Sequence, residues 1–528
     1  MKKVISAVLV LSMIFSLCSC TIGGSDTKLT MGILDEITTL DPLSAKGDGE
    51  KIITSNCIEG LLRFDAEGNI DLAGATGYTA DKNGLSYTFK LNPSAKWYLS
   101  DSVKTTLDSI GVTDFQEKIT ADDYIYGIKR FIESGRTELN AIKGASKYNA
   151  EDKNSVLGLK AVNEYTLQIT LEKIDPDFLY KLATLPVYPC DEVFCTALDG
   201  IFYSTPATTL CNGPYYVKEV AETETIIERN PDYNGNIQIT NKSILLYSTG
   251  KKDALATRFK DGSYDIFTTT NTEKIEDVNP SYSSVTGTWG FAFNCKSEMG
   301  KINELRDILL SSVDYSKIKL PDFATEKVES IIHGNYTVFD EKYSSFNTQT
   351  LTYKTDTENA QKNIDALLKK LGKETISVKF VIPMQMKNSM KDVISNWQKL
   401  FGDKIIIDLR TFDIKETGKI SADGDYDMAI LPLLPQTRTA LGVIESFSGA
   451  PCYFTDKRIT VLTSQPKLDA KTNATNYSKA ENLIVESGVF VPLFFASNDL
   501  YMNKGVSGVY TADGGELIYF HGGVKEDK

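Results

Sequence analysis

The chain has 528 residues, of which 41% are hydrophobic and 10% aromatic, so it has enough apolar side chains to build folded domains. This length is too great for a single core, which predicts two or three domains. The 70 acidic residues outnumber the 57 basic ones, and the formal net charge of -13 argues against a nucleic-acid partner.

Residues 1–19 have the features of a signal peptide. Two lysines precede an apolar run, Val4 to Leu17, that is too short to span a bilayer as a helix. The sequence Leu17-Cys18-Ser19-Cys20 resembles a bacterial lipobox. This resemblance implies cleavage before Cys20, a lipid on its thiol and a lipidated tether at residues 20–27. An ordinary secretory signal is the alternative, and no later apolar run is long enough to cross a membrane.

The next segments alternate between strand, turn and helix patterns. Apolar spacing and turn residues predict a strand at Lys28 to Leu34, a helix at Glu50 to Leu62, hairpins at Leu62 to Leu72 and Gly77 to Leu91, and a strand pair at Val156 to Leu171. Thr120 and Asp123 have the spacing of a capping box at a helix start. Residues 98–118 are more polar and read as a surface insertion. Asp81 and Asn83 lie in a turn and lack the further acidic ligands that a calcium loop requires.

The segment from Cys211 to Gly235 carries the most specific pattern. Asn212-Gly213-Pro214-Tyr215 starts a predicted hairpin, whose second strand leads into Ile226-Ile227-Glu228-Arg229-Asn230-Pro231-Asp232-Tyr233. This segment resembles the signature of the oligopeptide-binding receptors that feed ABC importers, extracellular solute-binding protein family 5. Blocks at residues 59–65, 81–97 and 119–130 resemble the same family in the same order.

The resemblance implies an α/β fold of the two-lobed periplasmic-binding-protein type, with an extra small subdomain and with mixed sheets flanked by helices. Lobe I is expected to combine residues 28–59, 200–290 and 490–528. Residues 60–199 are expected to form the small subdomain, and residues 291–489 lobe II. Within lobe II, helix and strand patterns alternate from Ala360 to Ile407, and the unbroken apolar run Ile405 to Ile407 predicts a buried parallel strand.

The chain departs from the family after the predicted strand Asp425 to Ile430. Peptide-binding members usually continue with Gly-Trp and then an Asp that meets the ligand's amino terminus. Here Leu433 stands at the position of the Trp and Gln436 at that of the Asp. A neutral amide cannot form the ion pair with an ammonium group. The fold is therefore expected to be the family's, whereas the usual recognition of the peptide amino terminus is not.

Seven residues are candidates for contact with a ligand between the lobes. On the family's pattern they are Ala45, Lys46, Gly47, Trp289, Leu433, Leu434 and Gln436. Two have simple structural alternatives, since Trp289 is equally suited to a core and Lys46 to a solvated surface.

Enzyme chemistry has little support in the sequence. The two histidines, His333 and His521, lie in loop-like settings and are expected to be solvated, and no nucleophile, phosphate-loop or metalloprotease motif accompanies them. We expect no cofactor, no metal and no catalysis. The six cysteines beyond the signal are expected to be mostly buried thiols, with disulfides or a zinc site as alternatives, and they are Cys57, Cys190, Cys195, Cys211, Cys295 and Cys452.

The leading hypothesis is a monomeric receptor that is lipid-anchored at the extracytoplasmic face of the cell membrane. It would capture peptides by lobe closure and deliver them to the permease and ATPase subunits of an ABC importer. A second hypothesis keeps this role but replaces the peptide by a sugar, an opine or a metal chelate, because Gln436 lacks the carboxylate. A third is a surface hydrolase or adhesion protein on the same fold.

Overall fold

The computed structural model describes residues 26–149, 152, 154–270, 275, 278–328, 330–346 and 355–526. The predicted signal peptide, Cys20 and the tether up to residue 25 lie outside these residues. Within them, no helix combines the length and the hydropathy needed to cross a membrane.

The strands of these residues are numbered in chain order. The first twelve are β1 (Lys28–Ile33), β2 (Leu62–Phe64), β3 (Ile70–Leu72), β4 (Ala75–Ala80), β5 (Ser86–Leu91), β6 (Leu159–Asn163), β7 (Thr166–Thr170), β8 (Tyr215–Val220), β9 (Glu224–Arg229), β10 (Ser243–Ser248), β11 (Ile266–Thr270) and β12 (Tyr282–Phe293). The later ones are β13 (Ala324–Lys327), β14 (Thr337–Val338), β15 (Glu341–Lys342), β16 (Ile376–Pro383), β17 (Ile405–Phe412), β18 (Met428–Leu433), β19 (Phe490–Met502), β20 (Val506–Ser507), β21 (Tyr510–Ala512), β22 (Leu517–Tyr519) and β23 (Val524–Lys525).

The α-helices are numbered in the same way. They are α1 (Asp48–Cys57), α2 (Asp101–Ile110), α3 (Ala121–Glu133), α4 (Ala145–Asn149), α5 (Phe178–Thr184), α6 (Glu192–Ala197), α7 (Lys252–Lys260), α8 (Asn303–Ser311), α9 (Thr357–Leu371), α10 (Lys387–Phe401), α11 (Thr417–Asp423), α12 (Ala440–Ser446), α13 (Lys457–Thr463) and α14 (Ala470–Glu486).

One mixed sheet runs through both lobes. Its strand order is β17-β16-β18-β12-β19-β11-β1-β10-β9-β8, with β13 also paired to β19. The long strands β12 and β19 pair with each other, while β12 also pairs with β18 and β19 with β11. These two strands therefore join the lobe I strands to the lobe II strands. The lobe I strands are β11, β1, β10, β9 and β8, and those of lobe II are β18, β16 and β17. The expected boundary between lobes I and II, at residues 290 and 291, lies within β12.

Lobe I is built around the parallel pair β1 and β10. Leu29, Met31 and Ile33 of β1 are buried and pack in one core with one face of α1. The predicted hairpin after Gly213-Pro214 is confirmed as β8 and β9, which pair with Tyr215 opposite Arg229.

The small subdomain has its own sheet, in the order β4-β5-β7-β6, with α3 packed against it. The predicted capping box starts α3, since Asp123 accepts hydrogen bonds from the Thr120 N–H at 2.7 Å and from its hydroxyl at 2.9 Å. The predicted insertion contains α2. Tyr510 and Tyr519, near the end of the chain, pack in the core of this small subdomain. The limits of the lobes and of the subdomain stay a prediction.

Lobe II packs α8, α9 and α10 on the parallel strands β16 and β17. The expectation of a buried strand at Ile405 to Ile407 is wrong in part. The strand exists and is parallel, but β17 is the edge strand of the sheet and the Ile406 side chain is 52% exposed. An edge strand has a neighbour on one side only, so an apolar run does not guarantee burial.

Candidate functional site

The loop after β18 carries lobe II onto the small subdomain. The Thr439 hydroxyl donates a hydrogen bond to Asp177 Oδ2 at 2.7 Å, and the Thr437 hydroxyl is 3.4 Å from the same oxygen. Thr439 is held in place because its hydroxyl also caps α12, where it accepts from the Gly442 N–H at 3.0 Å. Asp177 is only 2% exposed, so this contact is enclosed between the two parts of the molecule.

Arg438, between these two threonines, makes the second contact between the lobes. Its guanidinium donates to Asp513 Oδ1 at 2.8 Å and to Glu516 Oε1 at 3.0 Å, both in lobe I. Tyr180 also donates to Asp513, at 2.6 Å. The Arg438 side chain is 12% exposed. A largely buried, doubly hydrogen-bonded guanidinium is a strong and directional contact, so Arg438 acts as the main charged link across the cleft.

A glycine makes this approach possible. Gly514 has a φ of 66°, and a Cβ placed there would lie 2.0 Å from Arg438 Nε. Any side chain at this position would therefore displace the guanidinium. Gly514 lets the arginine lie directly against the lobe I backbone.

A cluster of charges surrounds Asp177. Burial, with the nearby Asp175 charge, raises the pKa of Asp177 to about 7. Lys181 donates to Asp175 at 2.7 Å, and its charge also acts on Asp177, so the two carboxylates share this cation. Burial also raises the pKa of Glu445 on α12, on the other wall. The cleft wall is therefore acidic and suited to a cationic group.

Several polar atoms at this boundary have no hydrogen-bond partner within the part of the chain that is described. They are Asp177 Oδ1, Arg438 Nε, Tyr336 Oη, Thr337 Oγ1 and Tyr477 Oη. A buried polar atom without a partner is costly, by roughly 1–3 kcal/mol. Clustered unsatisfied atoms of this kind are what a polar ligand would satisfy.

The sequence-predicted residues of lobe II fall at the start of this loop. Leu434 is 54% exposed and Gln436 is exposed, whereas Leu433 is buried in the lobe II core. Gln436 immediately precedes Thr437 and Arg438. Gln436 thus lies in the loop that reaches lobe I, but the side chains that make the contacts are the three that follow it. A ligand contact by Leu433, Leu434 or Gln436 stays a prediction.

The lobe I candidates form a loop that Glu50 holds together. The Glu50 carboxylate accepts from the N–H groups of Lys46 at 2.9 Å and Gly47 at 3.2 Å. Lys46 itself is exposed, and Ala45 is half-buried. Lys51, the residue after Glu50 in α1, forms an ion pair with Glu516 at 2.9 Å. Glu516 is also a partner of Arg438. The loop is therefore next to the charged link but not in it.

Trp289 lies in the lobe II core. Its indole is 5% exposed and packs between Phe323 and Phe494, at ring-centroid distances of 5.3 and 5.9 Å. The core alternative describes this placement, and a ligand contact by Trp289 stays an untested prediction.

Sequence reasoning missed the residues that join the lobes. Neither Asp177 nor Arg438 is among the predicted contacts, although Arg438 lies two residues after Gln436. Asp513 and Glu516 are in no motif. A signal was present for Arg438 alone, because a charged residue in an otherwise apolar, proline-rich loop is unusual.

The two histidines are not solvated as expected. His333 packs edge-on against Phe495 at 4.7 Å, and its side chain is 13% exposed. His521 lies beside Tyr510 and Tyr519, and burial lowers its pKa to about 4. The flanking glycines suggested open loops, but both loops pack on aromatic side chains.

The expectation that the cysteines are mostly buried is confirmed, while the disulfide alternative stays untested. All six are free thiols in this structure, five of them buried and Cys295 partly so. No group of three or more His, Cys, Asp or Glu side chains among the described residues has the arrangement of a metal site.

Two lobes joined by crossing strands, with a polar, partly unsatisfied boundary between them, define a ligand-binding protein of the periplasmic-binding-protein type. The model of bacterial extracellular solute-binding proteins, family 5, matches residues 70–452, and the chain belongs to this family. The family is one of extracellular solute-binding proteins.

Known relatives support this placement. The chain is 29% identical over 237 residues to the oligopeptide-binding protein AmiA of Streptococcus pneumoniae, covering 43% of this chain and 34% of the relative. It thus spans about a third of the length of that relative. A dipeptide-binding protein of Lactococcus lactis is 22% identical over 549 residues, 96% of each chain.

Solved structures share the fold. The peptide-bound OppA of Listeria monocytogenes has a TM-score of 0.68 at 19% identity, covering 96% of this chain and 100% of that one. HbpA2 of Haemophilus parasuis has a TM-score of 0.70 at 16% identity, covering 95% and 100%. These similarities establish the two-lobed architecture.

Proposed function

We propose that this protein captures peptides between its lobes and delivers them to the permease and ATPase subunits of an ABC importer. The observation that carries the proposal is the polar boundary between the lobes in a chain of this family. The relative that aligns with 96% of this chain is named a dipeptide-binding protein. The one that aligns with 43% of it is named an oligopeptide-binding protein. An extended peptide suits such a site because main-chain hydrogen bonds supply affinity for many sequences.

Closure couples binding to recognition by the importer. A ligand that touches both walls stabilises the closed arrangement by its differential affinity for that state. Arg438 and Thr439 already link the walls, so a ligand has to replace or add to these contacts. The importer would then distinguish the closed receptor from the open one.

Asp177 is our candidate for the group that receives the peptide's amino terminus. Gln436, at the family's usual position, is neutral and exposed. Asp177 accepts a hydrogen bond from Thr439, which lies in the same loop as Gln436. Asp177 is buried and has one unpartnered carboxylate oxygen. An ammonium group beside it would form a charge-assisted hydrogen bond.

Calorimetry with paired free and amino-terminally acetylated peptides tests this assignment. The peptides are those identified by native mass spectrometry of the protein purified from its own host. We expect acetylation to weaken binding to the wild type at least about a hundredfold, about 2.7 kcal/mol. Asp177→Asn should largely abolish the difference, whereas Gln436→Ala should preserve it. An unchanged preference in Asp177→Asn would refute the role of Asp177.

The same mass spectrometry separates peptide from non-peptide ligands. The replacement of the family's Asp by Gln436 is the observation that favours a sugar, an opine or a metal chelate. A co-purifying ladder of peptides supports our proposal. A single non-peptide mass would refute peptide capture while leaving the receptor role intact.

We further propose that the receptor is a monomer anchored by a lipid on Cys20 at the outer face of the cell membrane. The support is the lipobox-like sequence before Cys20. Cys20→Ala should abolish incorporation of a labelled fatty acid and either block processing or release the protein from membranes. Equal labelling of the variant would contradict the anchor.

A further inference from the structure

The six cysteines of the folded part lie in three pairs. Their positions in the sequence are scattered, but each thiol has another cysteine as its neighbour, and the pairs are Cys57 with Cys211, Cys190 with Cys195, and Cys295 with Cys452. No cysteine is left over. Complete pairing of scattered residues is not expected of cysteines that serve only as small apolar core residues.

The first pair joins the end of α1 to the turn before β8. The Cys57 carbonyl accepts hydrogen bonds from the N–H groups of Asn212 at 3.2 Å and Gly213 at 2.9 Å. This fixes the backbone next to Cys211 against the helix end. The two side chains are neighbours, and both residues are at most 2% exposed.

The second pair lies at the start of α6, whose N-cap is Asp191. Cys190 immediately precedes the cap and Cys195 is the fourth helical residue, two positions whose side chains pack together at helix starts. Their side chains are neighbours. The Arg130 guanidinium also donates to Cys190 Sγ, at 3.3 Å.

The third pair is in lobe II. The Cys295 N–H, just beyond β12, donates to the Cys452 carbonyl at 2.9 Å. This hydrogen bond brings the two backbones to the separation of paired strands, where a disulfide can close with little movement. Cys452 is fully buried.

We propose that these three pairs are disulfides in the exported protein. Two neighbouring thiols without a third ligand cannot form an ordinary structural zinc site, and exported chains mature where disulfides persist. In each pair one thiolate attacks the disulfide of an oxidant, a small-molecule or protein disulfide, and releases a thiolate. The second thiolate then attacks the mixed disulfide. The pair loses two protons and two electrons, and the oxidant is reduced to two thiols.

The pairing is compatible with lobe closure. The first two pairs belong to the lobe I core, and the third lies in lobe II. None of them bridges the cleft. The disulfides would therefore stiffen each lobe without restricting the movement between lobes.

The test uses the full chain, exported by its own host or to a bacterial periplasm. The protein is quenched in acid, denatured and treated with N-ethylmaleimide. It is then digested, and no reductant is added at any step. We expect no maleimide on the six cysteines and three cross-linked peptides that match the three pairs. Six labelled cysteines, even after incubation with oxidised glutathione, would overturn the proposal, as would links between other partners.

A single-cysteine variant serves as a control for each pair. Cys295→Ala should gain one maleimide, on Cys452, and keep the other two cross-links. Cys57→Ala should do the same for Cys211. If the partner of the removed cysteine instead forms a new link within the chain, the neighbours assigned here are wrong.

Discussion

At the scale of single residues, Asp177 is a carboxyl group in an electrostatically unfavourable position. It is buried and accepts from Thr439, but its other oxygen is unpartnered and its neighbours Asp175 and Glu445 are acidic. Lys181 is held by Asp175. Such a carboxylate stores unfavourable free energy that a bound cation can relieve.

This predicts an unusual pH dependence of stability. The pKa of Asp177, about 7 in the folded protein, exceeds the value of about 4 for an unfolded Asp. The folded state therefore binds a proton that the unfolded state releases, so stability falls as the pH rises from about 4 to about 7. We expect Asp177→Asn to melt above the wild type at pH 8 and close to it at pH 4.5. Thermal denaturation across this range measures the gap, and a constant gap would contradict the assignment.

Arg130 gives a second prediction at this scale. The hydrogen bond from Cys195, with the Arg130 guanidinium, outweighs burial and lowers the pKa of Cys190 to about 7. Stabilising the thiolate favours the reduced form, so the Cys190–Cys195 disulfide should be the first of the three to open in a glutathione redox titration. Arg130→Met should make it harder to reduce. The Cys57–Cys211 bond in the same samples is the control, and an unchanged order of reduction in the variant would count against this role of Arg130.

At the scale of elements, Glu50 organises the loop before α1. It accepts from the N–H groups of Thr38, Thr39, Lys46 and Gly47. One carboxylate thus fixes two passes of the chain at the start of a helix.

Replacing this carboxylate should destabilise the protein in a pH-dependent way. Burial alone would raise the pKa of Glu50, but hydrogen bonds from Lys46, Thr38 and Gly47 outweigh it and lower the pKa. Its stabilisation is therefore present above the ordinary pKa and lost as the pH falls below about 4. Glu50→Gln should cost about 1–3 kcal/mol at pH 7 in urea unfolding. A gap that persists undiminished at pH 3 would refute this.

The crossing strands depend on close backbone contact. A Cβ on Gly290 of β12 would lie 2.2 Å from the Val491 carbonyl oxygen of β19. Gly290→Ala should push the strands apart and cost about 1–3 kcal/mol. Gly77→Ala in β4 is the matched control, because its Cβ would meet no atom within 4 Å. Urea midpoints that shift equally for both variants would show that the contact is unimportant.

The elements also show what the sequence can predict. The hairpin after Gly213, the α3 capping box and β1 were predicted because turn chemistry, side-chain spacing and apolar patterns are local signals. The pairing of Arg438 with Asp513 has no local signal, since the two residues are 75 positions apart. Likewise, the exposure of Ile406 depends on which strand ends the sheet. The sequence thus predicted the fold, but not the contacts made across the cleft.

At the scale of the whole molecule, the cleft is held closed by few charged contacts. Arg438→Gln removes the largely buried ion pair with Asp513 and the more exposed one with Glu516. We expect the ligand-free variant to have a larger radius of gyration than the wild type in solution scattering, and saturating peptide to reduce it. Arg410→Gln is the control, because that arginine makes only surface pairs with Asp408 and Asp425. Equal radii for the two variants would contradict a closing role for Arg438.

The position of β19 has a consequence for how the protein is made. It lies between β12 and β11, and every other strand of the large sheet precedes it in the chain. During synthesis, the two halves of this sheet therefore remain separate, each with an open edge, until Phe490 and the residues after it have emerged. The late central strand thus delays completion of the large sheet until nearly the whole chain is available.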